Sequence, residues 1–205
     1  MESGGSYGST YKLAFIMHEI AKEADRLLQA LAFQSRSKFL ELNGKFELIY
    51  LGSAPSVSKI FTEDDCLREP MFGYTPELDI RNRIYAHYQI DYRKGGAGAD
   101  DCDAVESDSD ATSISDNGER VETVVLSACR TQAMATDWVA WYLTQKKQEW
   151  RLLDIELPWI GKALGPGQTF SLTWDFFSGV TWDPIKIEAN KMTERLQITA
   201  QEWPS

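Results

Sequence analysis

Apolar residues recur at a helical period near the start of the chain. Leu13, Ile16, Met17, Ile20, Ala21, Ala24, Leu27, Leu28 and Leu31 make one stripe, and Glu19, Lys22, Glu23 and Arg26 take the wet side. The pattern predicts an amphipathic helix over 11–33 with one face to bury. Two alternating runs, 37–42 and 45–51, then flank Asn43-Gly44. Asn-Gly between such runs signals a hairpin, because a type I′ turn needs positive φ at both central residues. Phe39 and Glu41 face away from Leu40 and Leu42, so the hairpin has two unlike sides.

Residues 52–70 read as a connector with a short element at 58–61. Thr62-Glu63-Asp64-Asp65 reads as a helix start, a capping hydroxyl followed by acids in the first turn. From 79 to 93 the alternation is strict. Ile80, Asn82, Ile84, Ala86, Tyr88 and Ile90 share one face, which predicts a long strand. The pattern then breaks. Residues 95–119 hold eight acids and no base, with little to bury, and read as a long mobile loop.

Order returns with a short strand at 121–126 and a helix over 127–147 whose stripe is Met134, Ala135, Trp138, Trp141 and Tyr142. Strand-like runs follow at 150–157, 169–174, 185–188 and 196–201. Turns are expected at Gly165-Pro166-Gly167 and Ser178-Gly179, as at Asn43 and Gly44. The fold class is therefore α+β: two amphipathic helices packed on mainly antiparallel β-sheet, with a long acidic loop. The expected layout is a flexible leader at 1–10, a helix-hairpin unit at 11–70, and a strand, helix and sheet unit at 71–203 that carries the mobile loop at 95–119.

Composition narrows the function. The 205 residues carry a net charge of −10, which opposes direct nucleic-acid binding. Cys66, Cys102 and Cys129 are odd in number and lack metal-type spacing, so the expectation is no disulfide framework and synthesis in a reducing cytoplasm. No apolar run is long enough for a membrane span, and the start lacks the basic-then-apolar order of a signal peptide. Seven Trp are many for this length and fit either core packing or interfaces.

Candidate chemistry is sparse. His18 falls on the polar side of the first helix, and His87 lies opposite Ile84, Ala86 and Tyr88, where it reads as solvated. No G-x-S-x-G, C-x-x-C or phosphate-loop pattern occurs. Counting from Asp108, acids stand at calcium-loop positions in Asp108, Asp110, Asp116 and Glu119, with Thr112 and the Ile114 carbonyl available between them. However, Ser113 occupies the sixth position, where the turn calls for Gly. No catalytic residue, cofactor or metal site is therefore assigned. Paired carboxylates of a wall hydrolase cannot be placed from spacing. The apolar, turn-rich segment 174–182 is the candidate interface, through Trp174, Phe176, Phe177 and Trp182; a hairpin tucked on the core is the alternative.

Three stretches carry a family likeness: AFQSRSKFLELNGKFELIYL with IFTEDDCL; DIRNRIYAHYQIDYR, with Asn82, Arg83, Ile84 and Tyr88 in matching places; and SACRTQAMATDWVAWYL, RLLDIELPWIGKALGPGQTFSLTWD and LQITAQEW. Over 11–203 the chain resembles the later portion of the bacteriophage tail hub family, the central tail proteins that include the lambda-type tip attachment protein. Hub proteins of this kind are usually longer, with earlier β-domains that form the ring, so a fragment, a split hub or an excised domain is expected. The resemblance implies a structural component of a tail tip or baseplate hub that links the tail tube to receptor-binding fibres. Its implied partners are further copies of itself in a ring, commonly three, and the tube, tape-measure and fibre proteins. Its implied place is the virion. A free-standing adhesion or carbohydrate-binding module and a cell-wall hydrolase domain are the alternatives.

Overall fold

The computed structural model describes residues 24–42, 45–51, 57–94, 98–158, 164, 168–174, 179–190 and 192–203. In chain order the described residues form α1 (Ala24–Gln34), β1 (Ser37–Leu42), β2 (Lys45–Tyr50), β3 (Lys59–Thr62), β4 (Met71–Tyr74), β5 (Arg83–Ile90) and β6 (Cys102–Ser109). They continue through α2 (Ala111–Asn117), β7 (Val121–Leu126), α3 (Gln132–Lys146), β8 (Arg151–Pro158), β9 (Phe170–Thr173), β10 (Thr181–Asn190) and β11 (Arg195–Glu202). The α+β class is as expected. The division is not, because the chain splits into two interleaved compact units. One is Met1–Ser37 with Arg81–Lys147, and the other is Lys38–Ile80 with Gln148–Ser205. Strand pairing between distant stretches, such as β3 with β9, overrides a cut at residue 70.

In the first unit β5 is central, antiparallel to β6 and parallel to β7. The alternation in the sequence is realised, since Ile84, Ala86, Tyr88 and Ile90 are all buried. Helix α3 covers this face with Met134, Ala135, Trp138, Val139, Tyr142 and Leu143. It starts at Gln132 and not at 127, because Thr131 is extended and its hydroxyl accepts the Met134 N–H. Phe33 of α1 sets its ring edge-on to Trp138 at 5.1 Å and Tyr142 at 5.5 Å, and Trp138 stacks on Tyr142 at 4.7 Å. The Trp138 indole N–H donates to the Phe33 carbonyl at 3.0 Å, which pairs a buried donor with a carbonyl in the last turn of α1. The part of the predicted first helix before Ala24 lies outside the described residues.

Asn82 holds the far side of this unit. Its side chain is fully buried. Nδ2 donates to the Gly118 carbonyl at 2.7 Å, and Oδ1 accepts the Arg120 N–H at 2.7 Å. Its backbone N–H donates to the Arg120 carbonyl, and its carbonyl accepts the Asp110 N–H, both at 3.0 Å. One residue at the mouth of β5 thus fixes the chain entering α2 and the chain leaving it for β7.

The acidic stretch is corrected here. It holds a strand, β6, and a capped helix, α2, where a mobile loop was expected. The strand is held by its backbone ladder with β5, from Arg83↔Ser109 to Ile90↔Cys102, and needs few apolar side chains of its own. Asp110 is the N-cap of α2. It accepts the Ser113 N–H at 2.9 Å and pairs with Lys147 at 3.1 Å. Those contacts hold its carboxyl below the usual range, the Ser113 N–H contributing most and Lys147 next.

In the second unit the strand order is β3-β9-β10-β11-β8-β4; β3 and β9 are parallel and the other pairs antiparallel. One face is apolar throughout: Phe61, Leu153, Ile155, Leu157, Phe170, Leu172, Trp182, Leu196 and Ile198 are buried in one cluster. Phe72 of β4 lies 6.4 Å from Trp182 of β10, although three strand spacings of roughly 4.8 Å separate those strands along the sheet. The sheet is therefore curled around its apolar face. β10 runs well beyond the predicted 185–188; Pro184 and the bulge at Ile185 interrupt the alternation that would reveal it. The β1–β2 pair forms its own two-stranded sheet, tied down by an ion pair from Lys38 to Asp183.

Two stability measurements test these anchors. Asn82→Ala strands the Gly118 carbonyl and the Arg120 N–H, and should lower unfolding stability by about 3 kcal/mol in urea titrations; a loss within about 0.5 kcal/mol, as at ordinary surface sites, would refute the anchor. Asp110 has a folded pKa below its unfolded value, so its contribution is present above pH of about 5. It is lost as the pH falls through about 4 and then through the lower folded value. In Asp110→Asn the urea midpoint should depend less on pH across that acid window than in the parent chain.

Candidate interaction surfaces

The expected interface at 174–182 is only partly described. Trp182 is fully buried among the second unit's core residues, so it is corrected from an exposed anchor to a core residue. Trp174 is half-buried and packs on the same cluster. Phe176 and Phe177 lie outside the described residues, as do the expected turn residues Asn43, Gly44, Gly165 and Gly167, and His18. His87 is half-buried on β5.

The acids of the proposed calcium loop do not converge. Asp108 sits near the end of β6, Asp110 caps α2, Asp116 lies within that helix, and Glu119 pairs with Arg83 at 2.8 Å beyond it. Among the described residues no group of three His, Cys, Asp or Glu is placed to hold a metal ion. Burial pushes all three thiols up. Asp65 and Glu63 add to the effect at Cys66, and Asp101 and Asp103 at Cys102. Since the thiolate is the reactive form, these are poor nucleophiles. Two of them share a local device that sequence reading found only once. At Thr62–Cys66 and again at Gly98–Cys102, a short 3-10 turn ends in an Asp that accepts the first residue's N–H at 2.9 Å. The following thiol leans on the first residue's carbonyl, at 3.7 Å and 3.6 Å.

The outward face of the second unit's sheet is charged and internally paired. Arg68 reaches Asp154 at 3.4 Å and Glu156 at 3.3 Å, and Arg195 reaches Glu156 at 2.6 Å. Where β10 and β11 join, Glu156, Glu188, Arg195 and Gln197 line an open groove of about 730 Å³. Glu188 is taken up by Lys186 at 2.9 Å. Arg151 and Glu202 form a two-pronged pair, both contacts at 2.7 Å, which holds the Glu202 carboxyl below its usual range.

The sheet edges differ in kind. In the first unit the end strand β6 carries three acids, Asp103, Glu106 and Asp108, charge of the sort that discourages further pairing. In the second unit β4 is an apolar edge. Met71, Phe72 and Tyr74 are 52%, 39% and 65% exposed, and Leu67 and Leu78 flank them at 49% and 80%. Sequence reading passed over this strand. The signal it could have used is a run of apolar and aromatic residues, 71–74, bounded by Pro70 and Pro76.

Comparison with known proteins matches this geometry to tail proteins. The fold is shared with a chain of the virion of a native gene transfer agent particle, at 18% identity and a TM-score of 0.64, over 90% of this chain and 40% of that one. It is shared with a tail protein from Neisseria meningitidis MC58, at 12% identity and a TM-score of 0.61, over 93% of this chain and 57% of that one. It is also shared with the 43 kDa tail protein of prophage MuSo2 from Shewanella oneidensis, at 14% identity and a TM-score of 0.56, over 92% and 57%. The chain thus spans roughly half the length of these structures. No curated protein sequence matches it. A family described as "Putative phage tail protein" matches residues 84–196, from the second residue of β5 into β11 and so across more than half of the chain. The chain belongs to this phage tail protein family.

Proposed function

We propose that this chain is a structural component of a phage tail tip or baseplate hub that links the tail tube to receptor-binding fibres. The observation that carries this reading is the fold shared with a gene transfer agent virion chain along nine-tenths of the present chain. The partners proposed are further copies of itself in a ring, commonly of three, and the tube, tape-measure and fibre proteins. The role proposed is non-enzymatic and resides in the virion. A net charge of −10 disfavours contact with packaged DNA. Among the described residues no helix is long and apolar enough to cross a membrane.

The alternatives find less support. An adhesion or glycan-binding module would present Trp pairs in a groove, yet Trp138, Trp150 and Trp182 are buried. A wall hydrolase would need two free carboxylates across a cleft, yet in the groove of the second unit Glu156 is engaged by Arg68 and Arg195, and Glu188 by Lys186.

Cross-linking mass spectrometry and gold-labelled antibodies on purified virions should place the chain at the tail tip, linked to tube and fibre proteins. Its absence from mature particles would overturn the proposal, as would a clearing zone on peptidoglycan zymograms.

A further inference from the structure

Asparagine followed by glycine closes on itself readily, because glycine has no Cβ to keep its nitrogen off the asparagine side chain. The chain holds two such pairs. Asn43-Gly44 lies outside the described residues. Asn117-Gly118 ends α2: Asn117 is the last helical residue, and Gly118 follows as the cap at φ 72°. Gly118 is exposed, and among the described residues no acceptor takes its N–H. The nucleophile of a ring closure is thus already in solvent.

What holds the reaction back is the turn around it. A helical ψ of about −42° keeps the Gly118 nitrogen away from Asn117 Cγ. Asn117 Nδ2 donates to the Ser113 carbonyl at 3.2 Å and to the Ser113 hydroxyl at 3.4 Å. Arg120 Nε donates to the Asn117 carbonyl at 3.3 Å, and Asn82 Nδ2 donates to the Gly118 carbonyl at 2.7 Å. Ser113 is fixed in turn: its N–H donates to Asp110 at 2.9 Å, and its hydroxyl donates to the Lys147 carbonyl at 2.5 Å. The restraint on Asn117 therefore runs back to the cap at the other end of a seven-residue helix.

We propose that Asn117-Gly118 is a deamidation site gated by opening of the last turn of α2, and that its isoaspartate product releases the Asn82 anchor. When the turn opens, the Gly118 nitrogen gives its proton to solvent base and bonds to Asn117 Cγ. The Cγ–Nδ2 bond breaks and ammonia leaves, which closes a succinimide. Water then opens the ring at either carbonyl, giving aspartate or isoaspartate. Isoaspartate runs the main chain through Cγ and so lengthens it by one carbon, which displaces the Gly118 carbonyl from Asn82. Its new carboxylate cannot donate to Ser113 and stands between Asp116 and Glu119. The step is irreversible, and it stands independently of the tail-tip role.

The test incubates the whole chain, folded and in urea, under mildly alkaline conditions and follows both pairs by peptide mass mapping. In urea Asn43 and Asn117 should react at comparable rates. In the folded chain Asn117 should react between about tenfold and about a thousandfold more slowly than in urea, the range that local opening gives. Asp110→Ala removes the cap of α2 and should speed the folded-state reaction about fivefold. If that variant fails to fold, the parent chain in low urea provides the check: the Asn117 rate should climb before the far-ultraviolet circular dichroism changes. The isoaspartate form, separated by ion exchange, should exchange its Arg120 amide faster than the parent, because Asn82 Oδ1 holds that N–H at 2.7 Å. Equal rates in the folded and unfolded chains would overturn the gate, as would a folded-state rate slow enough to require global unfolding. An unchanged Arg120 exchange rate in the isoaspartate form would overturn the release of the anchor.

Discussion

The Asn82 side chain is the contact on which the first unit turns. A parallel pair such as β5 with β7 cannot be closed by a tight turn, so the chain must leave β5, run back along β6, and cross through α2. That path leaves backbone groups at 118 and 120 without strand partners. A buried amide can donate to one and accept from the other, and Asn82 does both. The register Arg83↔Val121 follows directly, because Arg120 is pinned one residue earlier. With β5 fixed, its buried face receives α3, and α3 receives the Phe33 end of α1.

The second unit solves a different problem. Its apolar residues lie on one face of a single sheet, so curling brings strands several places apart into contact, as Phe72 and Trp182 show. Among the described strands, β3 and β4 end this sheet. In a free monomer such edges are liabilities. The end strands of the two units also differ in composition: β4 exposes Met71, Phe72 and Tyr74, whereas β6 carries Asp103, Glu106 and Asp108.

Much of the fold is legible in residue order. The strict alternation over 80–90, the stripe on α3, the hairpin pattern around Asn43 and the four late strands all correspond to observed elements. β5, α3, β8 and β11 bury their own apolar side chains, so the period of each is written in its own residues. Thr62 as the residue before a short acidic turn was legible for the same local reason. The missed elements bury little of their own. β6 is a strand because β5 lies beside it, and its half-buried face is Cys102, Ala104 and Glu106, which carries no hydrophobic signal. The short edge β4 buries none of its residues, so no period marks it.

The sequence by itself therefore determined the class of the fold and the elements with a self-contained apolar period. Tertiary structure alone decided which distant stretches make a unit, whether Trp182 faces core or solvent, and which of the described strands end each sheet. Those outcomes depend on backbone pairing between residues far apart in the chain, and a backbone hydrogen bond leaves no mark on the identity of the side chains beside it.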